Sequence, residues 1–349
     1  MVIKLDKPRN TTQYLLTANS FRLKSRKILS SKKETPYNNF GSNLQNIEPK
    51  IRVLYEADNE YKLVSLDQEG AEAKIVAYLC KKGNYRKLFE NNIKPHSFTA
   101  LHIFTEQLKA KYHTPSNIDI AINTEIDKLQ SLPFCKELFK LIKDSDNWPG
   151  KERYYFIGKK VRHASAYGMR ENKYRMSLLE ESEGSIAISK KEAEFHLSTD
   201  RKLFPEISQW QLETEKTIRS KKELRNLFGF PFKFTSFLDD AAIRNGLSFV
   251  PQSTVATLTN IAFSEMQEYI EDNDRNWHLL NNDHDSILGE TPEEEAGDYI
   301  KVMKKLIEEK EFTSPVDGVK FHMTAEVKVG YNWASMSVDN PLGLKEINE

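Results

Sequence analysis

From Lys62 to Asp67 the sequence KLVSLD alternates apolar and polar residues and then stops on a carboxylate. Period-two alternation is the pattern of a half-buried strand, so Asp67 is predicted at a strand tip. Residues 70–79, GAEAKIVAYL, follow at once with apolar residues at helical spacing, which puts Glu72 in the first turns of a helix. Far along the chain, HLLNNDHDSILG (278–289) has two apolar runs flanking Asn281, Asn282, Asp283, His284 and Asp285, the signature of a hairpin with acids at its turn. Taken singly, such aspartates are ordinary turn formers or caps. As a pair at the tips of two strands, Asp67 and Asp285 have the chemistry of a two-metal site. Hard cations such as Mg²⁺ take oxygen ligands, and two ions ~3.5–4 Å apart stabilise both the attacking and the leaving oxygen of a phosphoryl transfer.

The 51 Lys+Arg and 51 Asp+Glu cancel, so total charge gives no ground for calling the chain a nucleic-acid binder. The cancellation is between unlike segments. Residues 1–35 carry nine Lys/Arg against Asp6 and Glu34, residues 151–175 carry eight against Glu152 and Glu171, and residues 283–311 hold ten acids against four lysines. A charge run is usually a solvated face. The run at 151–175 is interleaved with aromatic and small residues, and Lys159, His163 and Tyr167 stand at i, i+4 and i+8, one face if the segment is helical. That stripe suits a ligand with phosphates at one end and a flat ring at the other. Equally, it suits a helix that packs Tyr167 and shows Lys159 to water.

Helical patterns fill 96–110, 190–222 and 252–271, and 292–311 is expected as a charged amphipathic helix forming a solvated flank. The stretch 111–150 has weak periodicity and is expected to be an insertion, while Val316 to Trp333 alternates like one or two strands. The length fits two domains, or one large domain with an insertion. Cys80 and Cys135 stand far apart with no CxxC near either, so no disulfide framework or structural zinc site is indicated and a reducing compartment is expected. No uncharged stretch approaches the ~20 residues that span a bilayer, so no membrane association is expected.

In order, NLQNIEPKIR (43–52), LVSLDQEGAEAKIVAYL (63–79), HSFTA (96–100), GKKVRHASAYGM (158–169), FPEISQW (204–210), PQSTVATLTNIA (251–262), HDSIL (284–288) and VGYNW (329–333) resemble the successive motifs of family A DNA polymerases, the bacterial DNA polymerase I type, with phrasing most similar to bacteriophage members. The resemblance runs from about residue 20 to about residue 335, and eight ordered motifs are far more specific than any one.

The resemblance implies an α+β right-hand fold. A palm with an antiparallel sheet and helices would comprise residues 1–95 and 247–349, with mainly helical fingers at 96–246, and without thumb or exonuclease domains. It implies that Asp67 and Asp285, with the backbone carbonyl of Gln68, hold two Mg²⁺ ions, and that Glu72 is a steric gate crowding the sugar 2′ position. Lys159 and His96 would contact the triphosphate, and Tyr167 would stack near the templating position. Arg26, followed by Ser30 and Ser31, resembles the arginine–serine motif that reads the minor groove, and Asn46, Gln252 and His284 fit the remaining primer–template contacts.

Several positions depart from the family pattern. His163 stands where the family has Phe or Tyr facing the nucleotide. Tyr155 stands where an Arg usually precedes the lysine, so either Arg153 reaches in or Arg162 substitutes. Ser286 follows the second aspartate in place of a frequent Glu, Glu69 replaces a Ser, and Gly70 replaces a Gln.

The implied function is a DNA-directed DNA polymerase core that adds dNTPs to a primer 3′-hydroxyl on a primer–template, as part of a split enzyme in DNA replication. The expected location is the cytoplasm, including that of a phage-infected cell. The short length is explained by a separate thumb or exonuclease polypeptide, by a fragment, or by dispensing with the thumb, and Met1 favours a separate gene product. The alternative reading is a non-catalytic DNA-binding or scaffolding subunit that keeps the fold, motivated by Ser286, His163 and the missing thumb. A related single-subunit RNA polymerase is disfavoured by Glu72.

Overall fold

The computed structural model describes residues 13–15, 20–26, 44–68 and 70–347. A small ribbon comes first, β1 (Gln13–Leu15) antiparallel to β2 (Lys24–Arg26), followed by 3₁₀ turns at Leu44–Asn46 and Pro49–Leu54. Next comes β3 (Tyr61–Gln68), whose Val64, Leu66 and Gln68 face one side fully buried while Ser65 and Asp67 on the other side stay partly open. The alternation read in KLVSLD is therefore the real one.

A run of helices then leaves the sheet. It comprises α1 (Ala71–Leu79), α2 (Asn84–Glu90), α3 (Pro95–Ile103), α4 (Thr105–Lys111), α5 (Pro115–Asn123), α6 (Ile126–Leu129), α7 (Cys135–Asp144), α8 (Tyr154–Ala166), α9 (Glu171–Glu181), α10 (Lys190–Leu203) and α11 (Pro205–Lys221). A two-stranded ribbon, β4 (Glu223–Arg225) with β5 (Pro231–Lys233), precedes the long α12 (Asp240–Asp272), and the chain returns to the sheet as the hairpin β6 (His278–Asp283) and β7 (Ser286–Pro292). After α13 (Ala296–Glu308) and the ribbon β8 (Glu311–Thr313) with β9 (Lys320–His322), the sheet is completed by β10 (Ala325–Gly330) and β11 (Lys345–Glu346). Its order is β11-β10-β3-β7-β6, every neighbouring pair antiparallel, so the strand carrying Asp67 is central and lies directly beside the hairpin carrying Asp285.

Three expectations are corrected. The helical pattern at 190–222 is two helices, because Pro205 lacks an N–H and occupies the first position of a new helix. The pattern at 96–110 likewise breaks at Phe104. The stretch 111–150, weakly periodic in sequence, is mostly helical, and its Ile118, Ala121, Ile126, Leu129, Leu138 and Ile142 join the main core. The segment 292–311 is not a solvated flank: Tyr299, Ile300, Met303 and Ile307 form a buried stripe on α13 that packs against the sheet and α12, leaving only the opposite face charged. Both cysteines are free and buried, and among the described residues no helix is long and apolar enough to cross a membrane.

One hydrophobic core runs from Val64, Leu66 and Val327 on the sheet, through Leu258 and Met266 of α12, into Leu101, Val161 and Trp210 of the helical run. Close packing there depends on Gly158 of α8, where a Cβ would sit 2.5 Å from the carbonyl oxygen of His96 on α3. That approach keeps the N-terminal halves of α3 and α8 in contact, which matters for the residues they carry.

Candidate active site

Asp67 and Asp285 meet at one end of the sheet. Asp67 is the Cα partner of Ser286 across β3 and β7, and the N–H of Gln68 donates to the carbonyl of Asp285 at 2.9 Å. The turn that presents Asp285 is tight: its N–H donates to the carbonyl of Asp283 at 2.7 Å, and His284 takes φ +61°, a left-handed conformation that costs a non-glycine residue roughly 1–2 kcal/mol. The hydroxyl of Thr259 on α12 holds that turn by donating to the His284 carbonyl at 2.9 Å, and Gln68 Nε2 donates to Thr259 at 2.6 Å. A helix behind the sheet thus fixes the strained turn in front of it.

The electrostatics of the pair are those of a site short of positive charge. Burial pushes the Asp67 carboxyl up to about 7, with a further push from Asp285, while Lys328 and Lys159 pull it back. Burial also raises Asp285, and the neighbouring charges of Glu72 and Asp283 add to the effect against Arg22. A raised folded-state carboxyl is a stability cost that grows as pH rises: the folded chain keeps a proton the unfolded chain has lost, so stability falls between the unfolded value of 3.8 and about 7. In metal-free buffer, Asp67→Asn is therefore expected to be more stable than the parent by on the order of 2 kcal/mol at pH 8 and equal to it near pH 4, measured by thermal melts across that range.

Glu72, in the first turn of α1, accepts a hydrogen bond from the Tyr167 hydroxyl at 2.6 Å and is ion-paired with Arg22. Tyr167 terminates α8 and is buried; burial and the adjacent Glu72 raise its phenol well above the ordinary value. Its ring meets His163 edge-on at 5.1 Å, and Lys159 lies two turns before it on the same helix, solvent-facing. The i, i+4, i+8 stripe is thus a real helix face, turned toward the strand tips closely enough for Lys159 to act on Asp67. His96 stands in the first turn of α3, where burial, with Lys159 and Arg162 nearby, lowers its imidazole to about 3; it is neutral and its Nδ1 is enclosed without a partner.

Arg153 and Arg162 occupy different surroundings. Arg162 is wholly buried, ion-paired with Asp200 and packed beside the adjacent rings of Tyr85 at 4.3 Å and Phe204 at 4.6 Å, so it belongs to the interior of the helical run. Arg153 caps the start of α8, its guanidinium 4.3 Å over Phe156 with Nε unpartnered.

Other candidates gather less closely. Gln252 is half-buried on α12, His284 is at the turn that presents Asp285 with an unpartnered Nδ1, and Asn46 is exposed on the 3₁₀ turn that flanks β2. Arg26 lies in β2; Ser30 and Ser31 lie outside the described residues.

Sequence reasoning missed Arg22. It was one cation in a basic run, and what selects it is Phe21, which takes φ +57°, packs its ring on Phe230 at 5.6 Å and Phe249 at 6.1 Å, and has its carbonyl bound by Asn260 of α12 at 3.2 Å. That anchored bend aims the next residue at Glu72. It also missed Gln45, next to the chosen Asn46, which bonds into the sheet.

An antiparallel sheet with paired acids at its tips, backed by two helices and continued into a large helical lobe, is the architecture of the polymerase right hand. A family-wide profile described as DNA polymerase family A matches residues 145–335, more than half of the chain, and the chain belongs to that family. It is 23% identical over 303 residues to DNA polymerase I of Caldicellulosiruptor bescii, covering 83% of this chain and 29% of that protein. Its fold is similar to the POL domain of Pol1 from M. smegmatis, solved in complex with DNA primer-template and dNTP, with a TM-score of 0.60, 20% identity, and coverage of 93% of this chain and 47% of that one. The chain thus spans less than a third of the first relative and about half of the second.

Proposed function

We propose that the chain is the palm-and-fingers core of a DNA-directed DNA polymerase, with residues 1–95 and 247–349 as palm and 96–246 as fingers. The observation that carries this reading is the Asp67–Asp285 pair at the strand tips, both raised by burial, Asp67 further by Asp285 and Asp285 by Glu72 and Asp283, with Lys159 on the facing helix. Among the described residues no three or more His, Cys, Asp or Glu side chains converge on one point. Two carboxylates and the Gln68 carbonyl leave most coordination positions to water and phosphate oxygens, which is the way Mg²⁺ is usually bound, so the donors fit it. When bound, two Mg²⁺ ions supply activation of the primer 3′-hydroxyl and neutralisation of the triphosphate.

The remaining work falls to the chain's own groups and consists of positioning and charge complementarity rather than covalent chemistry. Lys159, Arg153 and neutral His96 orient the triphosphate, and His163 and Tyr167 border the base. His284, Gln252, Asn46, Arg26 and Ser30 contact the primer–template. Arg22 holds Glu72 in place, and Glu72 crowds the sugar 2′ position. Glu72→Ala is expected to weaken discrimination against ribonucleotides by about tenfold or more, read from competing single-nucleotide incorporations; unchanged discrimination would remove Glu72 from that role.

The test of the reading is template-directed dNTP incorporation on a primed strand, by the purified chain alone and with host lysate. Incorporation only with lysate would support a separate thumb or exonuclease polypeptide. Primer–template binding without incorporation under either condition would favour the non-catalytic subunit.

A further inference from the structure

Among the described residues strand β6 is an edge of the five-stranded sheet, so its outward backbone groups meet no described strand. At Asn282, three residues before Asp285, both are taken by side chains from the N-terminal part of the chain. The Asn282 N–H donates to the Tyr14 hydroxyl at 2.8 Å, and the Asn282 carbonyl accepts from Gln45 Nε2 at 2.8 Å. The Tyr14 hydroxyl in turn donates to Asn281 Oδ1. The two grips are joined: Tyr14 is the cross-strand partner of Ser25, the Ser25 N–H donates to Gln45 Oε1 at 2.7 Å, and the Gln45 N–H donates to Ser25 Oγ at 3.1 Å. Asn281 and Asn282 are each 2% exposed, and the β6–β7 register shifts between Leu279 and Asn281, so the strand is irregular where it is held. Neither Tyr14 nor Gln45 falls within the span matched by the family profile.

We propose that Tyr14 is a positioning residue for the reaction: through the Asn282 peptide, and together with Gln45, it sets the geometry of the turn that presents His284 and Asp285. The ribbon that carries Tyr14 on β1 leads through Arg22 into β2, so one element braces the catalytic turn on one side and Glu72 on the other. A buried N–H stripped of its acceptor must find another by moving, and movement at Asn282 is transmitted along a short segment to a turn already held in a left-handed bend.

This rests on the proposed role of Asp285, and the experiment separates the two. Tyr14→Phe removes only the hydroxyl. Single-nucleotide incorporation by the full chain, at a temperature where circular dichroism shows parent and variant equally folded, is expected to show kcat reduced about tenfold with KM for the dNTP within about twofold. Gln45→Met, which cuts the other grip, is expected to give the same split, and the double variant no more than the larger single loss. A brace with a purely structural role would lower the melting temperature and leave kcat of the folded enzyme unchanged, which would overturn the proposal. A rise in KM at constant kcat would do so as well. Asp285→Ala serves as the control: if it extends primers normally, the reading of the site fails; if it is inactive while Tyr14→Phe keeps full kcat, only the present inference fails.

Discussion

Asp67→Ala and Asp285→Ala are each expected to reduce primer extension in Mg²⁺ by about a thousandfold or more while leaving the fold intact. The expectation follows from the cost the pair imposes. Burial and like charge raise both carboxyls, and among the described residues no third acid gathers with them to share an ion. Each residue is therefore close to irreplaceable as an oxygen donor, and each is a liability to the fold when the site is empty. Loss of activity should accordingly come with an unchanged or raised melting temperature, a combination that misfolding cannot produce. Normal extension by either variant would dismiss the assignment of the metal site.

Lys159→Ala is expected to lower kcat/KM for dNTPs by about a hundredfold, with most of the change in KM. Lys159 is exposed on α8 and forms none of the ion pairs found among the described residues, whereas its neighbour Lys160 is paired with Glu181. Its charge is therefore available to a triphosphate. The other cation of that helix turned inward, Arg162, is consumed by Asp200. Lys160→Ala should consequently change dNTP kinetics little, and single-nucleotide incorporation by the two variants side by side distinguishes a specific contact from loss of general positive charge.

The parts legible from sequence were those whose signal is local. KLVSLD alternates because one face of β3 is core, and the hairpin at 278–289 declares itself by two apolar runs around a polar turn. The Lys159, His163, Tyr167 stripe needed only helical spacing. What sequence hid depends on contacts between distant segments. Arg22 is indistinguishable from Arg26 until Phe21 is seen wedged against Phe230 and Phe249. Arg162 and Arg153 look equivalent until Asp200 is found inside the helical run. Gln45 and Asn46 are neighbours in one motif, yet one is bonded to the β6–β7 hairpin and the other faces water. The segment 292–311 misled for a related reason: Asp298, Lys301 and Lys305 lie exposed on one side of α13, and the buried stripe on the other side contributes too few residues to change the overall polarity.

The core that passes without interruption from Val64 on the sheet to Trp210 in α11 bears on how such a protein can be divided. The boundary between the proposed palm and fingers is crossed by shared side-chain packing and by α12, which runs unbroken through residue 247. A cut there would lay open the interior of both halves. The two regions are therefore expected to fold as a single unit, neither keeping its interior closed without the other.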